Sequence, residues 1–405
     1  MAKSVLEPIV VPADVVQDVV ALRRDIHAFP ELGFEEVRTS GIVADRLRRL
    51  GYEVRTKIAQ TGVLGILRTG KPGLTVLLRA DMDALPLEEA PGLPFASTVR
   101  GKMHACGHDG HVAILLGAAQ MIMQRRDALC GTIVLCFQPA EEGKGGAAAM
   151  VAEGVLDDPQ VDKVYGLHVW SQHAPGIVLT RPGPMMATSD TIEITVRGKG
   201  GHGAQPDHTI DPIVTAAHFV NSVQTVVSRK VDPLEPAVVT IGAFNAGTAP
   251  NVIPEEARLL GTVRTFNEQL RDEMPQKIEA VLAGCCASAN ATYDYTYVKR
   301  YPITSNDPGE AAYVMSLAAG LLGSKRVAEQ PKIMGAEDFS FMLQRRPGCF
   351  FFLGACVDPK VDAPHHSPHF AIDESAFATG VQMMVALATD APRRSVSTRD
   401  TSQTR

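Results

Sequence analysis

Residues 103–111 read MHACGHDGH and lead straight into the apolar run Val112–Met123. Within them His104, Cys106, His108, Asp109 and His111 bring together side-chain types that bind divalent metals, so the stretch reads as a metal-site signature. If the segment is extended, His104, Cys106 and His108 project to one face, because strand side chains repeat every two residues. If a helix begins near Asp109, His108 sits at its mouth and His111 one turn in. Cys106 and His108 are therefore the primary ligand pair. Asp109 is placed to accept from a ring nitrogen or to cap the helix, with His104 and His111 one layer out.

Outward from this stretch, other strand ends supply more polar groups. Asp14–His27 and Glu35–Leu50 carry apolar residues at helical spacing, the second closing on Gly51. Val63–Arg68 and Leu74–Arg79 flank a GKPG turn, which reads as a hairpin whose second strand delivers RADMDALP. Asp81 and Asp83 then stand at a strand's carboxyl end, where ligand sites of open α/β sheets collect, and Asp83 is favoured to orient a ligand or a bridging water. Thr132–Gln138 runs into PAEEGKGG. Adjacent Glu141 and Glu142 diverge in direction, so one can coordinate metal while the other moves protons. His168 lies inside the apolar strand Val164–Val169 and becomes a credible fourth ligand beside Cys106, His108 and a glutamate. After the strand Cys349–Leu353, the stretch APHHSPHFAIDE offers His365, His366 and His369.

The middle of the chain has a different rhythm. A strand from Asp190, a helix over Ile213–Val227, strands at Ala237–Phe244 and Ala257–Thr265, a helix from Glu268 and a strand at Tyr293–Val298 give the order β-α-β-β-α-β of a ferredoxin-like domain. It reads as an insertion between two halves of one catalytic domain.

The 405-residue length and 45% hydrophobic content suit a large globular enzyme of two or three domains. A net charge of −6, with no dense basic run in the body, argues against nucleic acid and for small-molecule partners. Seven cysteines, one inside the metal-like motif, suggest reduced thiols and a cytoplasmic location. MAKSVLEPIVVPAD lacks the pattern of an export signal, and no apolar run reaches membrane-spanning length.

Taken in order, HACGHDGH, PAEEG, GLHVW, GKGGHGAQP, GTAPNVIP, GTVRTF, GAEDF and HHSPHF resemble the amidohydrolase branch of the aminoacylase and carboxypeptidase metallopeptidases, which includes hippurate hydrolases and plant auxin-conjugate hydrolases. The resemblance runs from about Val15 to Leu387. It implies a zinc-peptidase-like α/β/α catalytic domain over 1–186 and 299–390, an inserted ferredoxin-like lid and dimerisation domain over 187–298, and leaves a disordered tail at 391–405. It implies that Cys106, His108, Glu142, His168 and His366 hold two co-catalytic divalent ions, manganese or zinc first, with cobalt or nickel as alternatives. Glu141 becomes general base and acid. His202 supplies a donor to the oxyanion from the lid, often across a subunit boundary, and Asn251 and Arg264 read the substrate carboxylate. The activity implied is hydrolysis of N-acyl-L-amino acids such as hippurate, in a homodimer or larger oligomer. A dipeptidase or carboxypeptidase is the nearest alternative, and a silent ligand-binding homologue the alternative of another class. Two departures stand out. His208 follows Asp207 rather than Pro206, so no role is assigned to it, and Asp81 stands where the broader class has a histidine, a loss that Cys106 makes good.

Overall fold

The computed structural model describes residues 9–90, 92–358 and 363–394. The chain divides into two compact units, one formed by the chain up to Gly183, Ser305–Pro331 and the chain from Phe341, the other by Pro184–Thr304 and Lys332–Ser340.

In the first unit, two amphipathic helices, α1 (Ala13–Ala28) and α2 (Val37–Leu50), precede the strands β1 (Glu53–Ile58), β2 (Gly62–Arg68) and β3 (Thr75–Asp81). The helix α3 (His108–Gln124) separates these from β4 (Thr132–Gln138) and β5 (Lys163–Trp170). The eight-stranded sheet runs β1-β2-β4-β3-β5, then Gly348–Gly354, Val178–Thr180 and Val327–Glu329. Its middle strands are buried nearly end to end, as expected of a sheet covered on both faces in an α/β/α unit. The helix α3 is apolar all round and packs against α1, α2 and the helix Phe377–Asp390.

The expected hairpin between β2 and β3 does not form. β4 lies between them, antiparallel to β2 and parallel to β3. The turn spends its backbone groups elsewhere, with Thr69 N–H donating to the Gly131 carbonyl at 3.2 Å and Gly131 N–H to the Lys71 carbonyl at 3.0 Å. A strand as apolar as TIVLCF takes the position where both edges are paired, and one strand at each turn cannot show that in sequence.

β3, β4 and β5 are mutually parallel, so their carboxyl ends gather on one side. That juxtaposition places Asp81 and Asp83, Glu141 and Glu142, and His168 at one rim. Of the expected tail, Ala391 and Pro392 are buried in a 3-10 turn and Arg394 pairs with Glu310, while residues 395–405 lie outside the described residues.

The second unit is built on a four-stranded antiparallel sheet in the order Ala237–Ala246, Glu256–Thr265, Ser189–Arg197, Thr292–Tyr301. Numbered along the chain this is 4-1-3-2 read from the last strand, the ferredoxin-like arrangement. Ser189–Arg197 buries every second residue, Ile192, Ile194 and Val196 packing on Phe219, Ile278 and Leu282 of the helices. The helix expected over Ile213–Val227 is broken at Val223 into Pro212–Ser222 and Gln224–Lys230. Among the described residues no helix is long and apolar enough to cross a membrane, and all seven cysteines are free.

Candidate metal centre

Gly107 sets the geometry of the central motif. Its φ is 92°, and a Cβ there would lie 2.4 Å from Val169 Cγ2, so only glycine allows the chain to turn tightly enough for Cys106 and His108 to face the same space. α3 begins at His108, one residue before the expected Asp109, with His111 one turn in.

Two groups of donors emerge. The ligand atoms of Cys106, His108 and His168 lie within 4.8 Å of one another, as do those of Cys106, Glu142 and His366. The groups share Cys106, and together they contain the five residues named from sequence as ligands. His108, Glu141 and Glu142 form a third group, so Glu142 reaches into two and Glu141 touches the edge.

The hydrogen bonds around the imidazoles fix which nitrogen is available. His108 Nδ1 donates to the Asp83 backbone carbonyl at 2.9 Å, leaving a buried Nε2 with no hydrogen-bond partner. His168 Nδ1 donates to the Val169 carbonyl at 2.6 Å, which turns the lone pair of Nε2 toward Cys106 Sγ, 3.4 Å away. Glu142 Oε1 is likewise buried without a hydrogen bond, 3.2 Å from His366 Nε2. Bare, convergent donor atoms whose other ends are tied to the backbone are what a divalent ion requires.

The charge balance points the same way. Burial opposes a proton on His108, yet Asp81, Asp83 and Glu142 outweigh it and lift its pKa to about 10. Burial, with Glu142, Glu141 and Asp81 adding to it, pushes the Cys106 thiol well above its usual range. The thiol therefore keeps its proton among these carboxylates, and a cation in contact is what would turn it into a thiolate ligand; the donors present fit two such ions.

Asp83 does its work through the backbone. Its two carboxylate oxygens accept from Glu141 N–H and Glu142 N–H, each at 2.9 Å, so it orients the paired glutamates as well as His108. Asp81 and His111 also sit close to His108, but their atoms are committed. Asp81 accepts from His111 Nδ1 at 2.5 Å and from Arg79 at 2.6 Å, and His111 Nε2 accepts from Val169 N–H at 2.8 Å. Burial raises the Asp81 pKa, but Arg79 and the histidines hold it well below the carboxylate range. Asp81 thus braces β5 through His111, with its Oδ2 also 3.5 Å from His108 Nε2. Asp109 binds Arg23 at 2.7 Å and His27 at 2.8 Å, in place of a helix cap. His104 is buried with both ring nitrogens unpartnered, and burial lowers its pKa to about 4. His365 accepts from Ser171 N–H, and exposed His369 donates its backbone N–H to Ser367.

Sequence reasoning missed several supports. Glu36 accepts from Ala140 N–H at 2.8 Å and from Thr61 at 2.5 Å, holding Ala140 at a φ of 55° just before the glutamates. The signal for Arg23 and His27 was present, since both flank the apolar stripe of α1 formed by Val19, Leu22 and Ile26.

In the second unit His202 pairs with Val252 in a two-stranded ribbon, and Gly203 N–H donates to the Asn251 carbonyl at 2.8 Å, so His202 and Asn251 are neighbours. Arg264 is half-buried and donates to Thr262 and, at 3.2 Å, to the Val263 carbonyl. Asp190, the carboxylate that acts on it, is ion-paired instead with Arg271 at 2.6 Å.

Known proteins are similar to this chain. The profile of peptidase family M20/M25/M40 matches residues 77–390. Thermostable carboxypeptidase 1 of Saccharolobus solfataricus is 42% identical over 91% of this chain and 94% of its own length. IAA-amino acid hydrolase ILR1-like 4 of Arabidopsis thaliana is also 42% identical, over 91% of this chain and 84% of its own. Among solved structures, the Bacillus subtilis YXEP protein, described as a dinuclear metal binding peptidase from the M20 family, superposes with a TM-score of 0.79 at 33% identity, covering 93% of this chain and 97% of that one. A profile that spans most of the chain, relatives that match it nearly end to end, and a donor set suited to two ions lead to one conclusion: the chain belongs to peptidase family M20/M25/M40 and is a metal-dependent hydrolase.

Proposed function

We propose that the enzyme cleaves the amide bond of N-acyl-L-amino acids, releasing a carboxylate and a free amino acid, with an N-aroyl substrate such as hippurate as the first choice. The observation that carries this reading is the Asp83 clamp. It presents Glu141 and Glu142 from adjacent backbone positions beside Cys106, His108 and His366, so that one carboxylate binds and its neighbour stays available for proton transfer. Cys106, His108, Glu142, His168 and His366 would hold the two ions. When bound, the ions supply an acidified water and a Lewis-acid pull on the scissile carbonyl. Glu141 takes the proton of the attacking water and passes it to the leaving amine nitrogen. His202 donates to the developing oxyanion, in our reading from a neighbouring subunit, which makes the working form a homodimer or larger. Asn251 and Arg264 bind the substrate carboxylate, a role open to the Arg264 guanidinium, which donates to Thr262 and Val263 and has no ion pair among the described residues. The seven free thiols favour a cytoplasmic location, and the mixed thiolate, imidazole and carboxylate donors suit manganese or zinc, with cobalt or nickel next.

A second reading, a carboxypeptidase acting on short peptides, is favoured by the 42% identity to thermostable carboxypeptidase 1. Hydrolysis of a panel of N-benzoyl, N-acetyl and indole-acyl amino acids and of dipeptides separates the two. Release of free amino acid from acyl substrates supports the amidohydrolase, cleavage of peptides alone supports the carboxypeptidase, and no turnover despite metal binding supports a silent homologue.

A further inference from the structure

His365 is built into the centre more firmly than its neighbour His366. Its Nε2 accepts from Ser171 N–H at 3.1 Å, directly after the end of β5, the strand that carries His168. An Nε2 that accepts must be bare, so the ring is the neutral tautomer with its proton on Nδ1. The ring lies over Trp170, centroids 4.7 Å apart at 30°, against Phe370 at 4.9 Å and edge-on to His168 at 5.4 Å. Trp170 is itself stacked on Phe352 at 4.2 Å. The imidazole is thus one layer of an aromatic stack rooted in the core strand Gly348–Gly354.

His366 follows at once, with φ at 62°, in the left-handed region that side chains other than glycine adopt only at a cost. Its N–H donates to the Ala105 carbonyl at 2.8 Å, one residue before Cys106. The side chain itself is 55% exposed and has little packing to hold it. The stacked, hydrogen-bonded ring of His365 on one side and the Ala105 bond on the other hold the backbone from which His366 reaches Glu142 at 3.2 Å and Cys106.

We infer that His365 is a positioning residue, which sets the reach of His366 by tying its loop to the end of β5. The inference rests on the dinuclear reading above. His365 belongs to none of the donor groups, and acts only through His366.

The test is metal occupancy of the full-length enzyme, by elemental analysis after equilibration with dilute zinc or manganese, for wild type, His365→Phe, His365→Gln, His366→Ala and the double variant His365→Phe/His366→Ala. Phe keeps the stack and removes the acceptor for Ser171, whereas the Gln carbonyl can restore it. His365→Phe is expected to bind one equivalent as wild type does and the second roughly 10–100-fold more weakly, the usual cost of losing a group that orients a ligand. His365→Gln is expected to recover most of that loss. The double variant is expected to lose no more than His366→Ala alone, because the two residues act as one. Wild-type occupancy in His365→Phe, an equal weakening of both equivalents, or additive losses in the double variant would overturn the inference. Wild type that binds fewer than two equivalents would instead remove the dinuclear reading, and this inference with it.

Discussion

Replacing Asp83 by Asn is the most informative single perturbation, because it separates holding the glutamates from acting on substrate. The Asp83 carboxylate accepts from Glu141 N–H and Glu142 N–H, both at 2.9 Å, in a site where Asp83 is 1% exposed. An amide of the same shape keeps one acceptor and turns an NH2 group toward the other N–H. One charge-assisted bond is lost and a buried donor is left unpaired, a cost of about 2–4 kcal/mol. Such a loss is a large share of a typical folding free energy, so the thermal midpoint falls by several degrees. The glutamates also move, and a displacement of ~1 Å at a reacting group costs on the order of 100-fold in turnover. Thermal unfolding, elemental analysis and kcat on N-benzoylglycine should therefore all fall together in Asp83→Asn. Lost kcat with wild-type midpoint and metal content would mean that Asp83 acts on substrate or water directly. Unchanged values in all three would refute the clamp.

Three further outcomes follow from the same geometry. Glu141→Ala should abolish turnover while both metal equivalents stay, since Glu141 belongs to neither of the two donor groups that share Cys106, and loss of metal would reassign it as a ligand. Arg264→Ala should erase the preference for an acyl-amino acid over its amide, and an equal loss on both would remove Arg264 from carboxylate recognition. Asp109 is opposed by burial, yet Arg23 and His27 hold its pKa well below the usual carboxylate range. Its folded value is depressed, so its stabilisation is full above the unfolded pKa of about 4 and is lost as pH falls further. Asp109→Asn should flatten the acid limb of a plot of midpoint against pH, and an unchanged slope would show that the pair contributes nothing there.

What the sequence made legible was local chemistry carried by short spacings. The start of α3 at His108, one residue from the expected Asp109, follows from a short local pattern, and the ferredoxin-like order follows from the succession of strand and helix patterns between Ser189 and Tyr301. What it hid was pairing at long range. The insertion of β4 between β2 and β3 depends on strands far apart in sequence, and no turn chemistry at GKPG reports it. The supports of the site were hidden for the same reason. Glu36 reaches Ala140 from 104 residues away and His365 reaches Ser171 across 194, and neither lies in a motif that names its partner. Asp81 is the instructive case. Its departure from a metal-binding histidine was visible, but that it braces His111 and Arg79 could be seen only once β3 and α3 were packed together.

In the proposed centre Cys106 joins two donor groups into a site for two catalytic ions. The most direct test is to strip the enzyme of metal and titrate zinc, manganese, cobalt or nickel back in equivalents, following both binding and hydrolysis of N-benzoylglycine, with Cys106→Ser in parallel. No turnover is expected without metal, full turnover only at two equivalents, and weakened binding in Cys106→Ser. Turnover that persists in the stripped enzyme, saturates at a single equivalent, or survives Cys106→Ser with unchanged occupancy would contradict this centre.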